Sequence, residues 1–359
     1  MTRAAPWLFS MRVDLGVFLG SALFSFALLA LGASFGLLHR DTPEWTWVVG
    51  VLLADVAHVH LTLFRVYLDP LERRRRPWLY GLVPVLAYVG CAALFRLGSD
   101  VFWRALAYVA AWHFVRQQYG WVMLYRARAG ETDTFGRWFD TAVIHAATLY
   151  PLIHWHTRLP RAFAWFVQGD FVALPGVVER VAWPVYVALM AGYALRSAYG
   201  YLVTRRVNPG KDVVVATTAA CWYVGIVALD SDYAFTVTNV FIHAVPYAAI
   251  VYGYGRRRMA AGERVFRSFA QGPWVMLATV WAIAYVEELL WDRGVWHERA
   301  WLFGEGWDAD AWRAWLVPLL AVPQVSHYAL DGFVWRRRTN PEVVGMIYTR
   351  SSSSDASLR

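Results

Sequence analysis

Residues 13–38 read VDLGVFLGSALFSFALLALGASFGLL, a run with a single carboxylate and no basic residue. As a helix rising 1.5 Å per residue it is long enough to cross a hydrocarbon core of ~30 Å. It is too long for the core of a signal peptide and shows no small-residue cleavage site before the charged turn at His39 and Arg40, so it is expected to be retained.

Working outward, nine further stretches have the same character: 46–66, 78–96, 101–125, 138–157, 174–196, 212–230, 233–254, 273–291 and 313–335. The predicted fold is an all-α polytopic membrane bundle of about ten transmembrane helices. It forms a single domain over residues 1–340, followed by a polar tail over 341–359, ending SSSSDASLR, that is expected to be disordered. The basic residues test the number of spans, because they concentrate in cytoplasmic loops. Sorted onto alternate sides, 24 fall on the side of both termini and 6 on the other, with Arg104, Arg116, Arg180 and Arg313 inside or at the edge of spans. One helix missed or invented in mid-chain would collapse that ratio, so an even number of spans with a cytoplasmic N-terminus and C-terminus is expected.

The composition agrees: 58% of residues are apolar, 17% aromatic and only 17% charged. The net charge of +8 arises from arginines clustered at helix ends, not spread over one basic face, which argues against a nucleic-acid partner. The run Arg73 to Arg76 reads as a stop-transfer cluster beside anionic headgroups of membrane lipids. Cys91 and Cys221 lie in apolar stretches without zinc-type spacing. The linker from Trp291 to Trp312, rich in tryptophan and acid, is expected to form an interfacial helix or a lid.

Five histidines fall at nearly one depth, about half-way along their helices: His58, His113, His145, His243 and His327, within a slab of about 4 Å of a ~30 Å core. Ionisable groups there are costly and face the bundle interior. Each has polar company at helical spacing: Asp55, His58, Thr62 and Arg65 make one stripe, Thr236, Asn239, His243 and Tyr247 another, and Gln324, His327 and Asp331 a third. Arg116 and Gln117 follow His113, and Thr141 precedes His145. Any one of these is readily explained as a core histidine donating to a carbonyl; five at one level with polar stripes suggest metal ligands. The candidate ligands are those five imidazoles with Asp55 and Asp331. Gln117, Asn239 and Gln324 are candidates to orient them, and Arg116 and Tyr247 to address substrate. Arg116 is equally explained by an ion pair with Asp55 or Asp331. His58 and His60, two apart, point about 200° from one another, so only one of the pair can serve; the stripe favours His58. His154 and His156 lie at the end of their span and are expected to face water, and Glu287 with Glu288 reads either as solvated helix-end acid or as a proton inlet.

No phosphate-binding glycine loop, GxSxG elbow or HExxH motif occurs, and no loop is long enough for a soluble domain. The chemistry therefore belongs inside the bundle. The segments AHVHLTLFR (57–65), WHFVRQQYG (112–120), NVFIHAVPY (239–247) and SHYALDGFVW (326–335), histidines on several membrane helices, resemble in style the membrane-bound non-haem iron oxygenases, desaturases and hydroxylases, including the retinal-forming beta-carotene dioxygenases of bacteria. They lack the HxxxH and HxxHH boxes of the desaturases. The resemblance implies a metal-dependent oxidoreductase of the bacterial inner membrane, with one or two irons, a lipid or isoprenoid substrate and an electron-donor protein. Zinc stays open as the metal. Two other readings stand beside it: a bis-histidine haem b electron-transfer protein, for which His113 and His243 are the obvious pair, and a proton-coupled transporter or channel using the same polar layer, with Pro246 and Pro323 as possible kinks.

Overall fold

The computed structural model describes residues 7–39, 42–309, 311–336 and 338–340, with 343 and 345. The regular structure among those residues is helical, without a strand. The long helices are α1 (Met11–Ser34), α2 (Glu44–Tyr67), α3 (Pro77–Leu97), α4 (Ser99–Arg128), α5 (Thr134–Thr157), α6 (Gly176–Tyr199), α7 (Pro209–Ala228), α8 (Asp232–Ala260) and α9 (Trp274–Trp296). The last stretch is two pieces, α10 (Arg313–Leu320) and α11 (Val322–Val334). Six of these helices, α1, α2, α3, α7, α8 and α9, are long and apolar enough to cross a membrane, which marks an integral membrane protein.

The helices begin where the sequence supplies caps. Asp133 accepts from the amide of Gly136 at 2.7 Å at the start of α5, Asn208 precedes Pro209 at the start of α7, and Ser231 caps α8. The continuous span expected over 313–335 breaks instead at Ala321, because Pro323 cannot donate into the preceding turn. Pro246 lies inside α8 without ending it. The expected tail, 341–359, falls outside the described residues except at 343 and 345; Val343 is buried.

Helix α8 is the axis of the bundle: 78% of its apolar window is buried, against 17% for α3, whose exposed Trp78, Leu82, Val85 and Val89 suit lipid. Helices α1 and α2 pack along it. Small residues permit that approach: a Cβ on Gly32 of α1 would fall inside the ring of Tyr233 on α8. Replacing Gly32 by alanine is expected to cost about 1–3 kcal/mol by overpacking, read as a lowered melting temperature in detergent; an unchanged melting temperature would refute so close a packing. Helix α2 winds as a π-helix over Trp47–Val56 and Leu63–Tyr67, on either side of an α-helical turn, Ala57–Thr62, that carries His58. Such wide turns are common beside functional sites. The Leu53 carbonyl in the first of them accepts the indole N–H of Trp281 from α9 at 2.9 Å.

Two buried ionic networks tie the arginine-rich ends of the helices together. Asp140 of α5, fully buried, accepts from Arg126, from Lys211 at 2.9 Å and from Arg196 at 2.9 Å. Arg65, also fully buried, donates to Glu72 at 2.8 Å and to the Val334 carbonyl at 2.8 Å, while Tyr254 and Arg258 hold Asp69.

Candidate metal centre

Four of the five midplane histidines converge. His58 from α2, His113 from α4, His243 from α8 and His327 from α11 are all buried, and their rings close a four-membered circuit. The centroid separations are 4.6 Å for His58 and His243, 5.2 Å for His243 and His113, 4.7 Å for His113 and His327, and 4.9 Å for His327 and His58. Ligand nitrogens of His58, His113 and His327 all lie within 4.8 Å of one another.

What each ring does with its other nitrogen fixes which one faces inward. His58 Nδ1 is held by the Asp55 backbone carbonyl, and its Nε2 lies 3.0 Å from His243 Nε2. His327 Nδ1 lies 2.8 Å from the Thr62 hydroxyl, leaving Nε2 free. Nε2 of His113 and of His327 are buried without a hydrogen-bond partner. Unsatisfied buried nitrogens are costly, and two of them facing two further imidazoles make a set of soft-to-intermediate donors suited to iron, copper, nickel or zinc. Adjacent ligands on one ion at a metal–nitrogen distance of ~2.0–2.1 Å are separated by roughly 3 Å, the His58–His243 spacing.

The two aspartates lie behind the imidazoles and not between them. Asp55 Oδ1 is 3.5 Å from His58 Nδ1 and Asp331 Oδ1 is 3.9 Å from His327 Nδ1, and neither carboxylate is hydrogen-bonded to its ring, whose Nδ1 is held instead by the Asp55 backbone carbonyl and by Thr62. Tyr247 donates to Asp331 at 2.7 Å with its ring edge toward His327 and His58. Gln117 donates to the backbone carbonyl of His243 at 2.7 Å, holding α8 against α4 instead of contacting an imidazole. Asn239 and Gln324 line a cavity above the cluster.

His145 does not join the cluster. Its Nδ1 is 2.8 Å from the Thr141 carbonyl, and its ring lies near Tyr119 and Trp112 on another face of α4. Arg116 is also displaced: it is exposed, and its guanidinium lies 4.6 Å above the Tyr119 ring, so neither expected ion pair forms and it does not reach the site. A count along the helix does not give the angular position that keeps both residues off the cluster. His60 faces away from His58, as a separation of two residues requires, and meets Glu287 at 2.7 Å. His154 and His156, expected to face water, are buried, on Glu179 at 2.7 Å and Tyr108 at 3.0 Å respectively.

Three further residues belong to the centre. Thr62 holds His327, Phe114 stacks on His243 at 3.6 Å and 5° between planes, and Tyr328 stacks on His113 at 4.6 Å. Thr62 carried a signal, lying one helical turn from His58; the two aromatics had none in a sequence this rich in aromatic residues.

No family model matches the chain, and no curated protein or solved structure matches it.

A cavity of about 1060 Å³ leads from the arginine-poor end of the bundle toward the histidines. Asp55, Asn239 and Gln324 line it one turn above His58, His243 and His327. Its walls include Phe114, Trp165 and Phe235 on one side and Glu287 and Glu288 on the other. The end of α9 and the linker after it border the cavity through Trp296 and then Glu298 and Arg299, and Trp296 packs on Trp103 at 5.0 Å.

Proposed function

We propose that this chain is a membrane-embedded, metal-dependent oxidoreductase, an oxygenase, hydroxylase or desaturase, whose non-haem iron is held by His58, His113, His243 and His327. The proposal includes ten spans with both termini cytoplasmic in a bacterial inner membrane, an apolar lipid or isoprenoid as substrate, and an electron-donor protein as partner. The observation that carries it is the set of unpartnered nitrogens, His113 Nε2, His243 Nδ1 and His327 Nε2, buried in a cluster of four imidazoles one helical turn from residues that line a cavity.

A bound iron would supply the one-electron and dioxygen chemistry that side chains lack. The chain's own residues do the rest. Thr62 and the Asp55 carbonyl hold two rings by their outer nitrogens, so that the inner ones face a common point. The stacked Phe114 and Tyr328 stop His243 and His113 from rotating and keep water from the centre. The aromatic wall of the cavity offers an apolar substrate a place beside the cluster.

The other two readings fit less well. A haem needs two axial imidazoles on opposite faces of a wide flat ring, and His113 and His243 instead share close edges with His58 and His327. A transport path would have to continue past the histidines, where buried Arg65 and Glu72 and the Tyr254, Asp69 and Arg258 network fill the bundle.

The test is metal analysis with an absorption spectrum on protein purified in detergent from cells replete in iron, zinc and copper. Near-stoichiometric iron without a Soret band is expected. Metal-free protein would overturn the reading, and a Soret band would replace it with a haem.

A further inference from the structure

We infer that the carboxylate wall of the cavity is the route by which a divalent cation reaches the histidine cluster from the arginine-poor end. The inference rests on the metal-binding reading of that cluster.

The path is built of oxygen donors in sequence. Glu298 lies at the mouth, Glu288 and Glu287 lie on the wall along α9, and Asp55 with Asn239 lies at the floor. Beneath them are the imidazoles. A hydrated dication gives up water in stages most readily where hard, charged oxygens replace it before the softer nitrogens take over.

The basic residues along this path are already neutralised. Arg299 is paired with Glu298 at 2.9 Å and Glu44 at 3.1 Å, and its guanidinium lies 3.9 Å over Trp47. The oxygens nearest the cluster are not consumed in the same way. Asn239 is 2% exposed, and its Oδ1, like Asp55 Oδ1, has no hydrogen-bond partner. The Asn239 amide nitrogen is spent on the Phe235 carbonyl at 3.0 Å, which leaves the oxygen free. Glu287 is fixed by His60 at 2.7 Å, beside Glu288.

The opposite approach is closed to a cation. The fully buried Arg65 lies one turn below Thr62, the residue that holds His327, and Arg258 follows on Asp69. The ion pairs Arg65–Glu72 and Arg258–Asp69 pack that end with side chains, whereas the cleft on the other side is open and lined with carboxylates, which concentrate a dication.

The experiment uses full-length protein in nanodiscs, stripped with a chelator and mixed with cobalt(II), whose visible bands report imidazole ligation directly. The association rate of the wild type is expected to fall with rising ionic strength, because the carboxylates of an open cleft attract the ion over a screened range. Glu287→Gln with Glu288→Gln is expected to load about tenfold more slowly and with a weaker salt dependence, yet to reach the same final absorbance. That common end point also shows that the variant is folded. Equal rates in wild type and variant, or a wild-type rate indifferent to salt, would overturn the route and leave the centre intact. No cobalt spectrum in the wild type would overturn the metal reading and the route with it.

Discussion

Replacing His327 by alanine is expected to abolish metal retention through purification. Its Nε2 is one of three orphaned nitrogens in the cluster, and its ring is held from behind by Thr62, with Asp331 3.9 Å from the same Nδ1. Loss of a ligand held in that way should exceed the ten- to hundredfold weakening typical of removing a residue behind one. His113→Ala is expected to behave alike, whereas His145→Ala should retain full metal content, because His145 is bonded to Thr141 on another face of the bundle. Metal analysis of the three monodisperse variants reads the difference. A chelator should lower the melting temperature of wild type and of His145→Ala but not of His327→Ala, since a ligand stabilises only the fold that binds it. Equal metal in all three variants would show that the four rings are only a hydrogen-bonded core.

Asp140→Ala is expected to be the most destabilising single change at the arginine-rich end. Asp140 is wholly buried and accepts from Arg126, Lys211 and Arg196. Its removal leaves Lys211 and Arg126 buried with Glu131 as their remaining common partner, at 2.7 and 2.9 Å. Removing one side of a buried ion pair costs about 3–5 kcal/mol, much of it from the charge left behind. Arg196→Ala provides the contrast: its side chain is 39% exposed and Asp140 keeps two other cations, so a loss of about 1 kcal/mol or less is expected. Thermal unfolding of both variants in one detergent tests the pair, and similar losses would contradict the assigned burial.

The helices were legible because each apolar run is bounded by charge or by a cap; the ten stretches read from hydropathy correspond to the long helices within a few residues, except that the last is broken before Pro323. The level of the histidines was legible as well, since depth follows from counting residues along a helix. What counting does not supply is rotation. His113 and His145 lie at similar depth, yet one faces α8 and α11 while the other faces Tyr119, and the difference depends on how α4 and α5 turn against each other. Polar stripes gave a partial guide: those of α2, α8 and α11 did point inward, and Thr62, Tyr247 and Asp331 on them meet the cluster. Arg116 misled because its angular position was unknown: it is exposed on the face of α4 that carries Tyr119, not among the imidazoles.

The four imidazoles are drawn from positions 58, 113, 243 and 327, so the centre joins helices far apart in sequence. Until α11 docks against α2 and α4, Thr62 has no ring to hold and His113 lacks both His327 and the covering Tyr328. The cluster is thus complete only once α11 has docked. A chain in which α11 fails to insert would lack His327 and the cover of Tyr328, so an ion held as proposed would tie α11 to the helices that precede it.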